Sequence, residues 1–156
     1  EVFASLMGMR QFVEAARAAQ GLALGSPEDL GSSPSCPYSN WVLPSRLLCG
    51  PYPGHDGVNF STFQEAKENM DRILSDGIDT FICLQEEEEV VSNRPRYAPL
   101  AGSDKTFVHL PIPDGSVPSH RKFIEHLTGI INFILHGRKV YLHCAGGHGR
   151  TGTYVA

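Results

Sequence analysis

The amino-acid sequence predicts an α/β fold, a central and mostly parallel sheet of about five strands flanked by helices, and three observations carry that reading. Helical and strand-like apolar periods alternate along residues 41–156. IDTFICL (78–84) is apolar and β-branched enough to lie buried in a parallel sheet, and TFVHLPI (106–112) repeats the type. With 156 residues, 41% of them apolar and 19% charged, the chain suffices for one domain and falls short of two.

Val2, Leu6, Met9, Val13 and Ala16 recur at helical spacing among polar residues, so residues 1–20 read as an amphipathic helix. Its apolar stripe either packs on its own domain or docks a partner, and Glu1 and Glu14 argue against a transit peptide. GSPEDLGSSPSCP, from Gly25 to Pro37, has little to bury and reads as a linker. Residues 1–40 therefore form an N-terminal region and residues 41–156 the main domain.

WVLPSRLLCG sets two short strands around Pro44-Ser45-Arg46, a hairpin at a sheet edge where proline is tolerated. Ser61 with Gln64 matches a capping box, opening a helix through Phe63, Ala66, Met70, Ile73 and Leu74 that Gly77 stops. After the strand at 78–84, the run Glu86 to Glu89 reads as a solvated loop or the first turn of a short helix, with no chemistry assigned to it. Arg94 and Arg96 are solvated or line a substrate groove. A long helix runs from about Ser119 to His136, with Phe123, Leu127, Ile130, Ile131 and Ile134 on one face and Gly137 at its end. KVYLHC (139–144) is the last strand.

The formal charge of -4, without clustered Lys and Arg, speaks against a nucleic-acid surface or a polybasic membrane patch. No apolar run approaches the roughly 20 residues of a membrane helix. Cys36, Cys49, Cys83 and Cys144 lack zinc spacing, and the apolar content removes the need for a disulfide framework, so a reducing, intracellular and cytoplasmic compartment is expected. The seven histidines form no metal-ligand pattern, and neither metal nor cofactor is implied.

The densest chemistry lies in HCAGGHGRT, residues 143–151. A cysteine followed six positions later by arginine arises by accident about one time in four on this composition. Requiring the preceding His, the Gly three positions on and the Thr after the arginine lowers that to about one in ten thousand. Strand, glycine-rich loop (Ala145, Gly146, Gly147, His148, Gly149) and helix from Arg150 set successive backbone N–H groups around one concavity at a positive helix end. That is a cradle for a tetrahedral oxyanion. The same amides and dipole favour a thiolate at Cys144, and the Arg150 fork can meet two phosphoryl oxygens at once. Thr151 is placed to hydrogen-bond the sulfur and help it leave.

HCAGGHGRT resembles the active-site signature of the cysteine-dependent protein phosphatases, HCxxGxxR followed by Ser or Thr, and the domain size resembles their dual-specificity branch. WVLPSRLLCGPYPG resembles the opening segment of such domains, so the likeness covers about residues 41–156. The low-molecular-weight phosphatases and arsenate reductases carry the same spacing near their N-termini and fit poorly. The resemblance implies a protein-tyrosine-phosphatase-like fold, Cys144 as the nucleophile that becomes phosphocysteine, and Arg150 as phosphate binder and transition-state stabiliser. It further implies that the loop from Ala145 to Gly149 binds phosphate and that His143 hydrogen-bonds around the loop and tunes the thiolate. The family's general acid sits on a loop in the place of LPIPDGSVPS (110–119), which makes Asp114, about thirty residues upstream of Cys144, the acid and later the base for water.

The implied partner is a phosphorylated protein or a small phosphate ester, and the absence of lysine from the loop favours phosphoprotein. Cys83, on a buried strand, is a core residue or a trap for oxidised Cys144, with Cys49 the weaker candidate for that role. The family continues well past the arginine whereas this sequence ends at Ala156, so it is expected to be truncated after the phosphate-binding loop, part of a longer polypeptide. A different class stays open: a phosphate-recognition module, or pseudophosphatase, whose cradle survives without turnover.

Overall fold

A computed structural model describes residues 33–55, 59, 61–93 and 95–155; the expected helix over residues 1–20, most of the linker and Arg94 lie outside the described residues. Five strands, β1 (Asn40–Leu43), β2 (Leu47–Gly50), β3 (Thr80–Cys83), β4 (Thr106–His109) and β5 (Val140–His143), form one sheet in the order β1-β2-β5-β3-β4. β1 pairs antiparallel with β2 and every other pairing is parallel, as the sequence predicts. The hairpin closes at Ser45, which takes φ 58 in the turn.

Helices α1 (Phe63–Ser75), α2 (Glu87–Ser92), α3 (Ala98–Ala101), α4 (His120–Leu135) and α5 (Gly149–Val155) join the strands. Side chains alternate across the sheet, so Ile82, Val140 and Leu142 pack with Ile130, Ile131 and Ile134 of α4 on one face. Phe81 and Tyr141 pack with Met70 and Ile73 of α1 on the other. Burial of each such side chain is worth about 1.5–3 kcal/mol.

Three expectations shift. The capping box of α1 is Thr62 with Glu65, one residue beyond the expected pair: the Thr62 N–H donates to Glu65 Oε2 at 2.8 Å, while Gln64 bonds Glu68 one turn on. TFVHLPI is not a fully buried strand. β4 is the sheet edge with β3 as its one neighbour, and its residues alternate in exposure, leaving Phe107 41% exposed. Packing also begins ahead of Trp41: Cys36 is 2% exposed, and the Ser35 N–H and hydroxyl donate to the Asp76 carboxylate at 2.9 and 2.7 Å.

Seven residues make a marginal helix in isolation. α5 is fixed by buried Tyr154, whose ring stacks on Phe123 of α4 with centroids 5.2 Å apart and whose hydroxyl lies 2.7 Å from His126 Nδ1. At the other end of the β5–α5 connection, the loop leans on the segment after β2. The Tyr52 N–H donates to the Ala145 carbonyl at 2.8 Å, and the Tyr141 hydroxyl donates to the Pro51 carbonyl at 2.8 Å.

Gly147 lies in the left-handed region at φ +78, and a Cβ there would stand 2.5 Å from the Gly50 carbonyl carbon and 2.6 Å from Pro51 N. Both the backbone angle and the space demand glycine. Gly147→Ala is expected to lose at least about 2 kcal/mol of stability. Gly149→Ala, where a Cβ meets nothing within 4 Å, is expected to stay within about 1 kcal/mol of wild type, and urea titration of both variants checks the contrast.

Candidate active site

The carboxyl ends of parallel strands are where an α/β sheet presents its chemistry, and the chain leaves β5 there at Cys144. Cys144 is 3% exposed. Ala145, Gly146 and Gly147 are half-buried, and His148 and Gly149 are exposed as the loop turns into α5. Helical bonding starts with the Gly152 N–H on the His148 carbonyl, so the preceding amides of this turn have no partner inside the helix. The expected succession of strand, glycine loop and helix is thus in place.

Arg150, in the first turn of α5, is buried with its side chain 3% exposed. Its guanidinium is gripped by one carboxylate in a two-bond fork: Nη1 donates to Glu89 Oε2 at 2.5 Å and Nη2 donates to Glu89 Oε1 at 2.7 Å. Nη1 also donates to the Ile112 carbonyl at 3.2 Å. The Arg150 guanidinium holds the Glu89 carboxyl below its ordinary range, and Glu89 in turn raises Arg150 further. Glu89 also accepts the Glu86 N–H at 2.8 Å, closing the first turn of α2.

The reading of Glu86 to Glu89 as residues without chemistry therefore fails at Glu89. The signal that could have found it was position: an acidic run directly after a buried parallel strand lies at the sheet's ligand-binding end. The short-helix alternative for that run is the one observed.

Asp114 comes to the same place. It sits in an exposed turn, and its Oδ1 lies 3.2 Å from Arg150 Nη2. Arg150 thus brings together the loop after β5, helix α2 and the segment expected to carry the acid.

His143 is fully buried. Because the Cys144 carbonyl only accepts, His143 Nδ1 carries the proton and donates to it at 3.1 Å, which leaves Nε2 to accept from the Tyr97 hydroxyl at 3.0 Å. Burial pushes His143 down to about 4 and keeps the Tyr97 hydroxyl protonated, well above the usual phenol range. Tyr97 carries no motif, so sequence reasoning missed it. The Thr151 hydroxyl is buried and makes no hydrogen bond among the described residues, so the contact with the Cys144 sulfur expected for it is not formed here.

Cys49 and Cys83 are buried thiols pushed up to about 11 by desolvation, and all four cysteines are free. Arg96 borders a separate cavity of about 360 Å³ with Tyr52, Tyr97, Phe107 and His109. No helix among the described residues is long and apolar enough to cross a membrane.

Comparison with known proteins places the fold. The family model for the Swiss Army Knife protein DSP-PTPase phosphatase domain (PTP-SAK) matches residues 36–156. "Putative tyrosine phosphatase 067L" of Invertebrate iridescent virus 3 is 34% identical over 93 residues, covering 57% of this chain and 37% of that protein. "Putative tyrosine phosphatase 197R" of Invertebrate iridescent virus 6 is 33% identical over 95 residues, covering 58% of this chain and 34% of that protein. The alignments thus span about a third of the length of these curated relatives.

Among solved structures, Tk-PTP in its active form matches with a TM-score of 0.56 at 26% identity, over 76% of this chain and 69% of that one. Kinase associated phosphatase, with its catalytic-site cysteine replaced by serine, matches with a TM-score of 0.55 at 23% identity, over 67% and 59%. The latter likeness bears on the fold alone.

Two outcomes follow from the contacts of Glu89 and His143. Glu89→Ala strips a buried guanidinium of its carboxylate fork and is expected to cost about 3 kcal/mol of stability, read by urea titration at pH 7. For His143 the folded value, about 4, lies below the ordinary 6.5, so between these pH values the unfolded chain binds a proton that the folded chain refuses. Stability is whole above pH 6.5 and falls as pH drops, by on the order of 3 kcal/mol at pH 4. Urea midpoints from pH 7 to 4 check this, with His143→Asn giving the flatter profile.

Proposed function

Because the chain belongs to the DSP-PTPase phosphatase-domain family, through a match spanning residues 36–156, we propose that it hydrolyses phosphate monoesters, of phosphotyrosine, phosphoserine or phosphothreonine, through a phosphocysteine intermediate. The observation that carries this reading is the convergence on Arg150 of the loop after Cys144 and of Asp114, 3.2 Å from Nη2. Two stretches far apart in sequence, 143–151 with the proposed nucleophile and anion-binding fork and 110–119 with the proposed acid, thus meet at one spot.

In the proposed reaction, the Cys144 thiolate attacks phosphorus, the S–P bond forms and the bond to the ester oxygen breaks. Asp114 gives that oxygen its proton. The amides from Ala145 to Gly149 and the Arg150 fork stabilise the equatorial oxygens, most strongly as the transferring group becomes planar. Water then attacks phosphorus, its proton passes to the Asp114 carboxylate, the S–P bond breaks and inorganic phosphate leaves. The Thr151 hydroxyl, buried and without a hydrogen-bond partner among the described residues, suits a contact with the departing sulfur.

His143, kept neutral by burial, acts by holding the Cys144 carbonyl, and so the start of the loop, from behind. His148 is exposed at the mouth, and the loop offers no lysine, which favours a phosphoprotein over a highly charged inositol phosphate. The free, buried cysteines suit a reducing intracellular compartment.

The chemistry requires no metal, so release of nitrophenol from nitrophenyl phosphate is expected to persist in EDTA and to fall about 10³-fold or more in Cys144→Ser. The same variant is expected to keep inorganic phosphate binding. A wild-type protein that binds phosphate and releases no nitrophenol would make the cradle a recognition module instead.

A further inference from the structure

Glu86 has no place in the phosphocysteine chemistry, yet it touches the loop that carries Asp114. The Asp114 backbone N–H donates to Glu86 Oε2 at 3.3 Å. Glu86 is the N-cap of α2, and its own N–H is held by Glu89 at 2.8 Å, the carboxylate that grips Arg150. The loop is otherwise lightly held: residues 113–117 are exposed, and its turn is closed on itself by the Ser116 hydroxyl on the Pro113 carbonyl at 2.7 Å.

Beside the Ile112 N–H on the Leu84 carbonyl at 3.1 Å, which continues the pairing with the β3 edge, three contacts among the described residues tie the loop to Arg150 and Glu86. Two run to Arg150, from the Ile112 carbonyl at 3.2 Å and from the Asp114 carboxylate at 3.2 Å; the third runs to Glu86. A bound phosphoryl group takes donors of the same guanidinium, and the Asp114 carboxylate must give up Nη2 in exchange. The bond to Glu86 uses the backbone of Asp114 and leaves its carboxyl free, so it survives that exchange.

We propose that Glu86 is a positioning residue that keeps the Asp114 carboxyl over the leaving group once substrate has displaced it from Arg150. The proposal rests on the reading of Asp114 as the general acid. Helix α2 then serves both halves of the reaction, with Glu89 setting the phosphate fork and Glu86, one turn before it, setting the acid.

The experiment compares phenyl phosphate with its nitro- and fluoro-substituted esters across variants of the purified protein. Glu86→Ser keeps an N-cap oxygen for α2 but is too short to reach the Asp114 N–H. Its kcat is expected to fall about tenfold on phenyl phosphate, whose leaving oxygen needs a proton, and to stay within about twofold on the most activated ester, with KM little changed. Glu86→Gln, which still offers an oxygen at the right reach, is expected to restore the wild-type pattern. Glu86→Ser added to Asp114→Asn is expected to lose nothing further on phenyl phosphate. Glu88→Ala, at an exposed neighbour, serves as the control.

Equal losses on every ester would reduce Glu86 to a helix cap, and no loss at all would leave it idle; either overturns the proposal while the acid reading stands. Should Asp114→Asn itself leave the leaving-group dependence untouched, the acid assignment falls and the latch with it. Absence of phosphate release by the wild type would instead count against the phosphatase reading.

Discussion

A guanidinium withdrawn from water has to be neutralised where it sits, and the Glu89 fork on Arg150 is the contact on which the rest of this site depends. Without it a 3% exposed cation would keep only the exposed Asp114 carboxylate and the Ile112 carbonyl as partners, and loss of a buried partner costs several kcal/mol. The pairing also gives α2 its place. Six residues cannot hold a helix by themselves. Here the carboxylate that steadies the arginine also closes the first helical turn on the Glu86 N–H, so the helix and the ion pair stabilise each other.

Behind the loop the support is of a different kind, made of shape and neutral hydrogen bonds. Gly147 lies against the Gly50–Pro51 backbone at a distance no side chain allows, and Tyr52 and Tyr141 tie down the same segment. The Tyr97 hydroxyl fixes one tautomer of His143, whose other nitrogen holds the Cys144 carbonyl. Burial keeps both of these groups, His143 and Tyr97, neutral at neutral pH.

Much of this was legible in the sequence because it is local. Periodicity located the strands, Ser119 and Gly137 located the ends of α4 and Gly77 the end of α1, because these depend on neighbours within one or two turns, whereas the expected cap of α1 fell one residue early. HCAGGHGRT announced its own succession of strand, glycine loop and helix, which is local. What stayed hidden was long-range. Glu89 lies 61 residues from Arg150 in sequence and Tyr97 lies 46 from His143, and no spacing rule links such pairs. The edge position of β4 was hidden for the same reason, since burial depends on the order of strands in the sheet and that order is set by the crossovers.

The carboxylate of Asp114, 3.2 Å from Arg150, is an anion that belongs to the protein and so never has to diffuse in. Its effective concentration at the fork is therefore far higher than that of most free anions around it. In the proposed reaction an orthophosphate formed in the cradle would meet this built-in competitor each time it loosens. On that reading, retention of spent phosphate, which would slow any turnover that starts from a very good anion trap, would be discouraged by the architecture of the trap.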